Sequence, residues 1–259
     1  CPPGAPLLLD RASHRAAFHA AALLDLRPLF LERPWLEEDA VAGPITPDQV
    51  EEALKKHPDI KTTCITSPTY YGILSDIPAL AETAHRYGAR LVVDAAHGAH
   101  LPFLGNRELA AADVVVTSAH KTLPALGQSA LLLAGEAFSQ EDLRQAGGLG
   151  GSSSPSYVLM ASIENAIYVM DALKKGEKIL GGSCTVEAYG RRLEDLRRSL
   201  SSMKNLRLAS RDLTGSCGIK DLDPSKIVIS TRETALSGED LMERLRERWN
   251  LELEMCGAD

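Results

Sequence analysis

Short, almost entirely apolar segments alternate with helical segments along the first half of the chain. The apolar segments include residues 7–9, 91–93 and 114–116. A strand that is apolar at every position is covered on both faces, which is typical of a mostly parallel sheet flanked by helices. The alternation therefore predicts an α/β fold. Ligands of such folds bind beyond the carboxyl ends of the strands, where Asp94 and Ser118 are expected to lie.

Capping signals mark the ends of several predicted helices. Thr46, Pro47 and Gln49 form a capping box with proline at the first helical position, and Gly88 stands where a left-handed residue closes a helix. Helices are predicted over residues 13–26, 46–57, 76–87, 156–173 and 185–203. Strands are predicted over residues 6–10, 28–32, 62–66, 90–94, 113–117 and 131–133.

The chain changes character towards its end. Residues 147–154 are rich in glycine and serine and are expected to form a hinge or a binding loop. Further on, strands over 206–208 and 226–230, a helix that begins at Ser237 and a strand over 251–254 give a β-β-α-β order. We predict a large domain over residues 1–184 and the start of a smaller α+β domain over residues 185–259.

Composition excludes several classes of protein. Of 259 residues, 28 are Lys or Arg and 35 are Asp or Glu, which gives a formal net charge of −7. A general nucleic-acid binder needs a basic surface, and no apolar run approaches the roughly 20 residues that cross a bilayer. Five scattered cysteines without a CxxC pair predict free thiols in a reducing compartment, the cytosol. Because the chain begins with Cys1 rather than with Met, we expect a fragment or a trimmed chain.

One lysine is isolated in the sequence. Lys121 is the only lysine between Lys61 and Lys174, and it is expected in an apolar loop of small residues after a strand. An ammonium group that loses hydration favours its neutral, nucleophilic form, which a lysine needs to bind an aldehyde covalently. An ordinary exposed loop lysine is the alternative interpretation.

Asp94 ends a predicted strand and is followed by His97 and His100. A carboxylate there could serve a metal, a ribose hydroxyl or a protonated ring nitrogen. The loop between the histidines is not a helical face and no further ligand pair stands out, so we predict no metal site. A strand-end carboxylate with an isolated lysine after the next strand suits pyridoxal phosphate (PLP). The carboxylate keeps the pyridine nitrogen protonated, and the lysine holds the aldehyde carbon.

Four segments occur in a fixed order along the chain: Ser67-Pro-Thr-Tyr-Tyr-Gly72, Asp94-Ala-Ala-His-Gly-Ala-His100, Ser118-Ala-His-Lys-Thr-Leu-Pro124 and Ser152-Ser-Ser-Pro-Ser-Tyr157. Together they resemble the ornithine/lysine/arginine decarboxylases of the aspartate-aminotransferase fold type, also called PLP fold type I. Residues 10–15 look like that family's Asp-Arg-Asn-x-His-Lys segment. The similarity covers most of the chain.

The resemblance implies roles for residues around the cofactor ring. Lys121 would bind the PLP aldehyde covalently, and Asp94 would pair with the pyridinium nitrogen. His14 would stack its imidazole on the ring. Ala96 would pack beneath the ring, where only a small side chain fits.

The resemblance also implies contacts to the cofactor's phosphate and edge. Ser118 and His120 would hydrogen-bond the phosphate or the edge, and His97 would lie beside them. Ser153 or Ser154 would reach the phosphate of a neighbouring subunit. A homodimer or a higher homo-oligomer is therefore expected.

The activity that the resemblance implies is PLP-dependent decarboxylation of lysine, ornithine or arginine, with Lys121 or His120 returning a proton to Cα. Two alternatives stay open: an aminotransferase or α-oxoamine synthase of the same fold, and a non-catalytic homologue or partner-binding fragment. The family's glycine-rich phosphate cup precedes the strand at residue 6, and nothing in this sequence supplies it. We therefore expect a large domain that is incomplete at its N-terminus.

Overall fold

The computed structural model describes residues 2–151, 154–179, 184–209 and 213–257. The strands within them are β1 (Pro6–Asp10), β2 (Arg27–Leu31), β3 (Trp35–Leu36), β4 (Val41–Ala42), β5 (Thr62–Thr66), β6 (Ile73–Leu74), β7 (Arg90–Asp94), β8 (Val114–Ser118), β9 (Ala130–Ala134), β10 (Arg207–Leu208), β11 (Asp221–Leu222) and β12 (Ile229–Ser230).

The α-helices are α1 (Arg15–Leu23), α2 (Pro47–Lys56), α3 (Ile77–Arg86), α4 (Ala119–Thr122), α5 (Gln140–Gly150), α6 (Tyr157–Lys175), α7 (Val186–Ser201) and α8 (Gly238–Trp249). Short 3-10 helices lie at Glu108–Ala111 and Ser216–Gly218. None of the described helices combines the length and the apolar character that crossing a bilayer requires.

Six strands form the central sheet, in the order β2-β1-β5-β7-β8-β9. The first five run parallel to one another, and β9 is antiparallel to β8. The predicted α/β fold with a mostly parallel sheet is therefore confirmed. Thr66, Asp94 and Val116 lie side by side on three adjacent strands. The carboxyl ends of these strands meet at one edge of the sheet.

Apolar side chains pack on both faces of the sheet, as the continuous apolar runs predict. On one face, Leu8, Ile65 and Leu91 form the main core with side chains of α2 and α3. On the other face, Leu7 and Leu9 pack against α1. The α1 helix is shorter than the predicted 13–26 because His14 occupies the N-cap and the chain leaves the helix at Leu24.

The predicted helix ends at the capping box and at Gly88 are correct. Thr46 Oγ1 accepts a hydrogen bond from the Gln49 amide at 3.4 Å, and the Gln49 side chain accepts one from the Thr46 amide at 2.9 Å. Gly88 follows α3 with φ +69°. These local signals place α2 and α3 within one or two residues of their expected bounds.

The segment after residue 213 packs directly on the loop that follows β5. Strand β11 pairs antiparallel with β6, and Ile219 and Leu222 are buried with Ile73. A Cβ at Gly72 would lie 2.8 Å from Cβ of Lys226, and Gly72 has φ +88°. Only glycine permits this close approach. The division of the chain at residues 184 and 185 stays a prediction.

Two predictions for the second half of the chain differ from the structure: the loop over residues 147–154, of which residues 152 and 153 lie outside the described residues, and the strand over residues 251–254. Residues 147–150 belong to α5, because a capping box of Ser139 and Asp142 begins a helix that continues through its glycines. Residues 251–254 form no strand: α8 ends at Asn250 with φ +52°, and Glu252 then binds Arg246 at 2.7 and 2.5 Å. That ion pair keeps Glu252 beside the end of α8, and the segment pairs with none of the strands that the structure describes.

Candidate active site

Asp94 is the last residue of β7, and its side chain is half-buried at the edge where the parallel strands end. Its Oδ1 accepts a hydrogen bond from the amide of Ala96 at 3.1 Å. Its Oδ2 has no hydrogen-bond partner within the described part of the chain. A Cβ at Gly98 would lie 2.9 Å from Cδ of Pro68, so glycine lets the loop after Asp94 pass close to the end of β5.

Lys121 lies in the one-turn helix α4, directly after β8. The prediction of a loop lysine that has lost its hydration is wrong, because the side chain is exposed and the Leu123 amide closes a helical turn on the Ala119 carbonyl at 2.9 Å. Its Nζ is 3.4 Å from Nε2 of His97. The isolated lysine therefore contacts the loop that follows Asp94.

His97 is half-buried between two cations and an aromatic ring. Burial, together with the positive charges of Lys121 and Lys226, lowers the pKa of His97 to about 4. The imidazole is therefore neutral at pH 7, and its Nε2 accepts a hydrogen bond from the Lys121 ammonium group. The Tyr70 ring meets the imidazole edge-on, with ring centroids 5.0 Å apart.

His120 and Ser118 flank the same strand end. Nδ1 of His120 is 2.8 Å from the Ser129 carbonyl oxygen, which requires that Nδ1 carry the proton and donate. This bond fixes the ring and leaves Nε2 facing away from the backbone. Ser118 is half-buried at the N-cap of α4, and its hydroxyl makes no capping hydrogen bond.

The other residues predicted for the cofactor site are His14, Ala96, Ser153 and Ser154. His14 is exposed at the N-cap of α1, where Nδ1 accepts a hydrogen bond from the Ala16 amide at 3.2 Å. Ala96 is half-buried directly after β7. Ser154 is exposed, and Ser153 lies outside the described residues.

A cavity of about 880 Å³ opens beside Lys121 and His97. Its other walls come from distant parts of the chain: Tyr70 and Tyr71, the β3–β4 hairpin with Trp35, and the segment that includes Lys226 and Glu254. The sequence pattern did not indicate Trp35, Lys226 or Glu254 as site residues. No local motif surrounds them. The β3–β4 hairpin carries Trp35 to this cavity, and the packing of the C-terminal segment brings Lys226 and Glu254 there.

Tyr70 connects the two sides of the cavity. Its hydroxyl donates a hydrogen bond to Oε1 of Glu254 at 3.3 Å, and Nζ of Lys226 lies 5.5 Å from its ring centroid. Burial and the charge of Glu254 raise the pKa of Tyr70, so the phenol stays protonated at neutral pH. The tyrosine is thus held between a carboxylate and an ammonium group.

A buried ion pair lies at the same edge of the sheet. Asp10 at the end of β1 and Arg33 have side chains that are 0% and 4% exposed. Nε and Nη2 of Arg33 donate to the Asp10 carboxylate at 3.0 and 2.5 Å, and Nη1 donates to the Gly43 carbonyl at 2.6 Å. The Thr66 amide also donates to Asp10 at 3.0 Å. This network joins the ends of β1 and β5.

His100 does not face the cavity with His97. Its Nε2 is 3.0 Å from Oδ1 of Asp223 and 3.0 Å from Oγ of Ser225, and both His100 and Asp223 are buried. The described residues contain no group of three His, Cys, Asp or Glu side chains that could hold a metal ion. His100 therefore joins the loop after Asp94 to the C-terminal segment.

A family model described as "Orn/Lys/Arg decarboxylase, major domain" matches residues 1–217. The chain belongs to this decarboxylase family. An arginine decarboxylase of Bacillus subtilis is 29% identical over 260 residues, which are 98% of this chain and 51% of that protein. The chain thus spans about half the length of the curated relatives that it matches. The family resemblance of the four sequence segments is confirmed.

Solved structures share the fold. A lysine decarboxylase of Francisella novicida superposes with a TM-score of 0.69 at 20% identity, over 100% of this chain and 42% of that chain. A ureidoglycine-glyoxylate aminotransferase of Bacillus subtilis also reaches a TM-score of 0.69, at 17% identity, over 99% of this chain and 66% of that chain. At these identities the likeness concerns the fold, which the decarboxylase family shares with aminotransferases.

Proposed function

We propose that this chain is part of a PLP-dependent decarboxylase that removes the α-carboxyl group of a basic amino acid. The observation that supports it best is the placement of Asp94 and Lys121 after two adjacent parallel strands. Strands β7 and β8 are hydrogen-bonded neighbours, and Nζ of Lys121 is 3.4 Å from His97, three residues after Asp94. A strand-end carboxylate and a nearby primary amine are the groups that bind the two ends of the PLP ring system.

The residues at this edge fit the cofactor. Oδ2 of Asp94 is available to pair with a protonated ring nitrogen, and the exposed amine of Lys121 can bind the aldehyde carbon. The hydroxyl of Ser118 and the fixed ring of His120 are polar groups that we assign to the phosphate or the cofactor's edge. Ala96 leaves room beneath a flat ring.

Each residue then has a task in the reaction. PLP, when bound, supplies a ring that accepts the electron pair left by departing carbon dioxide. Asp94 keeps the ring nitrogen protonated through its negative charge. The neutral His97 accepts a hydrogen bond from Lys121 and so orients its amine. Lys121 returns a proton to the substrate Cα once carbon dioxide has left.

The charges of the cavity support a basic substrate. Glu254 lines the cavity, and its carboxylate has no ion-pair partner within the described ranges. Asp39 also lines it but pairs with Arg207 at 3.0 Å. Glu254 can therefore attract the distal cation of arginine, lysine or ornithine. Similar curated proteins are named arginine decarboxylase and lysine decarboxylase, which favours arginine or lysine.

We further propose that the protein is a homodimer or a higher homo-oligomer in the cytosol. Helix α6 exposes Tyr157, Val158 and Tyr168, which are 78%, 68% and 65% exposed. Large apolar side chains exposed along one helix are typical of a surface that contacts another chain. Cys64, Cys184, Cys217 and Cys256 are free thiols, as suits a reducing compartment.

The test uses the full-length gene product with arginine, lysine and ornithine labelled at the carboxyl carbon. We expect labelled carbon dioxide from at least one of them. Lys121→Ala is expected to stay folded, because the side chain is exposed, and to lose the cofactor that borohydride fixes to the wild-type protein. The control is Lys56→Ala, which removes another exposed lysine.

Three outcomes would contradict the proposal. Keto-acid formation in place of carbon dioxide would indicate an aminotransferase. A purified protein without a visible cofactor absorbance band would indicate a non-catalytic homologue. Borohydride labelling that persists in Lys121→Ala would place the covalent link at another residue.

A further inference from the structure

The β3–β4 hairpin forms one wall of the cavity beside Lys121. We call residues 33–43 the arm. Trp35 pairs with Ala42 and Leu36 pairs with Val41 across it. Leu36 and Val41 belong to a small core with Ile73, where they are 8% and 3% exposed, and Val41 also borders the cavity. Trp35 lines the cavity and is 52% exposed. Successive side chains of a strand point to opposite faces, so the burial of Leu36 fixes the outward position of Trp35.

The arm is held firmly at its base. Arg33 binds the Asp10 carboxylate with Nε and Nη2, and its Nη1 donates to the carbonyl of Gly43 on the returning strand. The same guanidinium donates to the Thr66 carbonyl at 2.5 Å. One buried side chain therefore ties both ends of the arm to the carboxyl ends of β1 and β5, next to Asp94.

The tip of the arm is held from the C-terminal segment. Nη2 and Nε of Arg207 lie 2.7 and 3.0 Å from the carboxylates of Glu38 and Asp39. Arg232 also donates a hydrogen bond to the carbonyl oxygen of Glu37. The backbone that carries Trp35 is thus fixed at both ends before any ligand binds, which lowers the entropic cost of binding.

The cavity combines an exposed indole on a rigid backbone with two ammonium groups and two carboxylates, of which Asp39 is paired with Arg207. This combination suits a cation with an aliphatic stem. Lys121 and Lys226 repel a positive group from the side of His97, and Glu254 attracts it. The face of tryptophan binds ammonium and guanidinium cations more strongly than the other aromatic rings do. Its edge also covers methylene groups.

We propose that Trp35 is a specificity-determining residue that packs against the distal, positively charged end of the amino-acid substrate. This inference rests on the proposed function. It adds a residue that discriminates between substrate side chains and takes no part in the reaction itself. The arm would then be the wall of the cavity that recognises the length and charge of the substrate side chain. Lys121, which lines the cavity with His97 and His120, acts at the α-carbon end.

The first test measures carbon dioxide release by Trp35→Leu in the cofactor-loaded, full-length protein. We expect KM for the preferred basic amino acid to rise about tenfold, with kcat changed less than about twofold, because the cation loses the indole face. Trp35→Phe is expected to restore most of the lost affinity. Trp249→Leu is the matched control, since Trp249 is 56% exposed in α8 and does not line the cavity.

A second test measures the binding of the amino acid without catalytic turnover. The variant for this test keeps Trp35 and carries phenylalanine at Trp249 and at every other tryptophan of the full-length protein, so that the indole emission comes from Trp35 alone. We expect its fluorescence emission to change saturably when arginine or lysine is added to protein carrying the Lys121→Ala substitution, and to stay constant with norleucine, which lacks the distal cation. This readout remains valid if the protein releases no carbon dioxide, so the failure of the proposed function and the failure of this inference are distinguishable.

Two results would overturn the inference. One is an unchanged KM in Trp35→Leu. The other is a Trp35 emission that does not respond to saturating arginine and lysine. If the unchanged KM came with altered sedimentation behaviour, Trp35 would instead contact another chain.

Discussion

The charge of His97 depends on its surroundings in the folded chain. Burial and the cations Lys121 and Lys226 lower the pKa of His97 to about 4, whereas an exposed histidine titrates near 6.5. Between pH 6.5 and pH 4 the unfolded chain therefore binds more protons than the folded one. The free energy of unfolding consequently falls as the pH drops through this window.

We predict that His97→Gln makes this fall shallower, because glutamine does not titrate. The measurement is urea unfolding of both proteins at pH 7 and pH 5. His19→Gln is the control, since His19 is exposed on α1. Equal losses of stability in wild type and His97→Gln would show that His97 titrates normally in the folded state.

At the level of elements, the Asp10–Arg33 pair joins β1, β5 and the arm. The carboxylate also accepts hydrogen bonds from the Ala12 amide at 2.9 Å and the Thr66 amide at 3.0 Å. The guanidinium fork binds Asp10, Gly43 and Thr66 together, which a lysine could not do. The pair therefore fixes the turn that leads to His14 as well as the strand end next to Asp94.

We predict that Asp10→Asn lowers the free energy of unfolding by about 3–5 kcal/mol, because Arg33 then becomes an uncompensated buried charge. Urea unfolding at pH 7 measures the change. Asp59→Asn is the matched control: its pair with Arg27 is 56% and 63% exposed, and a loss of about 0–1 kcal/mol is expected. Similar losses in the two variants would mean that the Asp10–Arg33 network adds nothing beyond a surface pair.

At the level of the whole molecule, His100 and Asp223 connect the sheet edge to the C-terminal segment. Burial raises the pKa of Asp223, but the hydrogen bond and charge of His100, with hydrogen bonds from Ser225, outweigh it and leave the pKa below its usual value. The lowered pKa of Asp223 therefore stabilises the folded chain. This contribution is fully present above about pH 3.9, which is the pKa of an aspartate in the unfolded chain, and is lost as the pH falls through the pKa of Asp223 in the folded chain.

We predict that Asp223→Asn speeds amide hydrogen exchange in residues 219–230 at pH 7 and leaves exchange in β5 and β7 nearly unchanged. A loss of about 1–3 kcal/mol in local stability is expected, because buried His100 and Ser225 lose a charged partner. Asp195→Asn is the control, since Asp195 is 69% exposed on α7. Faster exchange throughout the sheet would instead show that the C-terminal segment and the sheet unfold together.

The sequence by itself determined the strands β1, β5 and β7, the caps of α2 and α3, and the placement of Asp94 and Ser118 at strand ends. These features depend on periodicity, capping and the parallel arrangement of apolar strands, all of which are local or follow from general topology. The isolation of Lys121 along the sequence and its place in a family segment both indicated this residue, and its role stays a prediction. The sequence left open whether Lys121 is exposed, since the hydration of a side chain depends on which other segments cover it.

Only the tertiary structure decided which residues surround the cavity. Trp35, Lys226 and Glu254 lie far from Lys121 in the chain, and no short motif marks them. The packing of β11 on β6, the close approach at Gly72 and the His100–Asp223 contact bring the C-terminal segment to the sheet edge. Such contacts join residues that are distant in sequence, so their energies depend on the packed molecule and not on any local pattern.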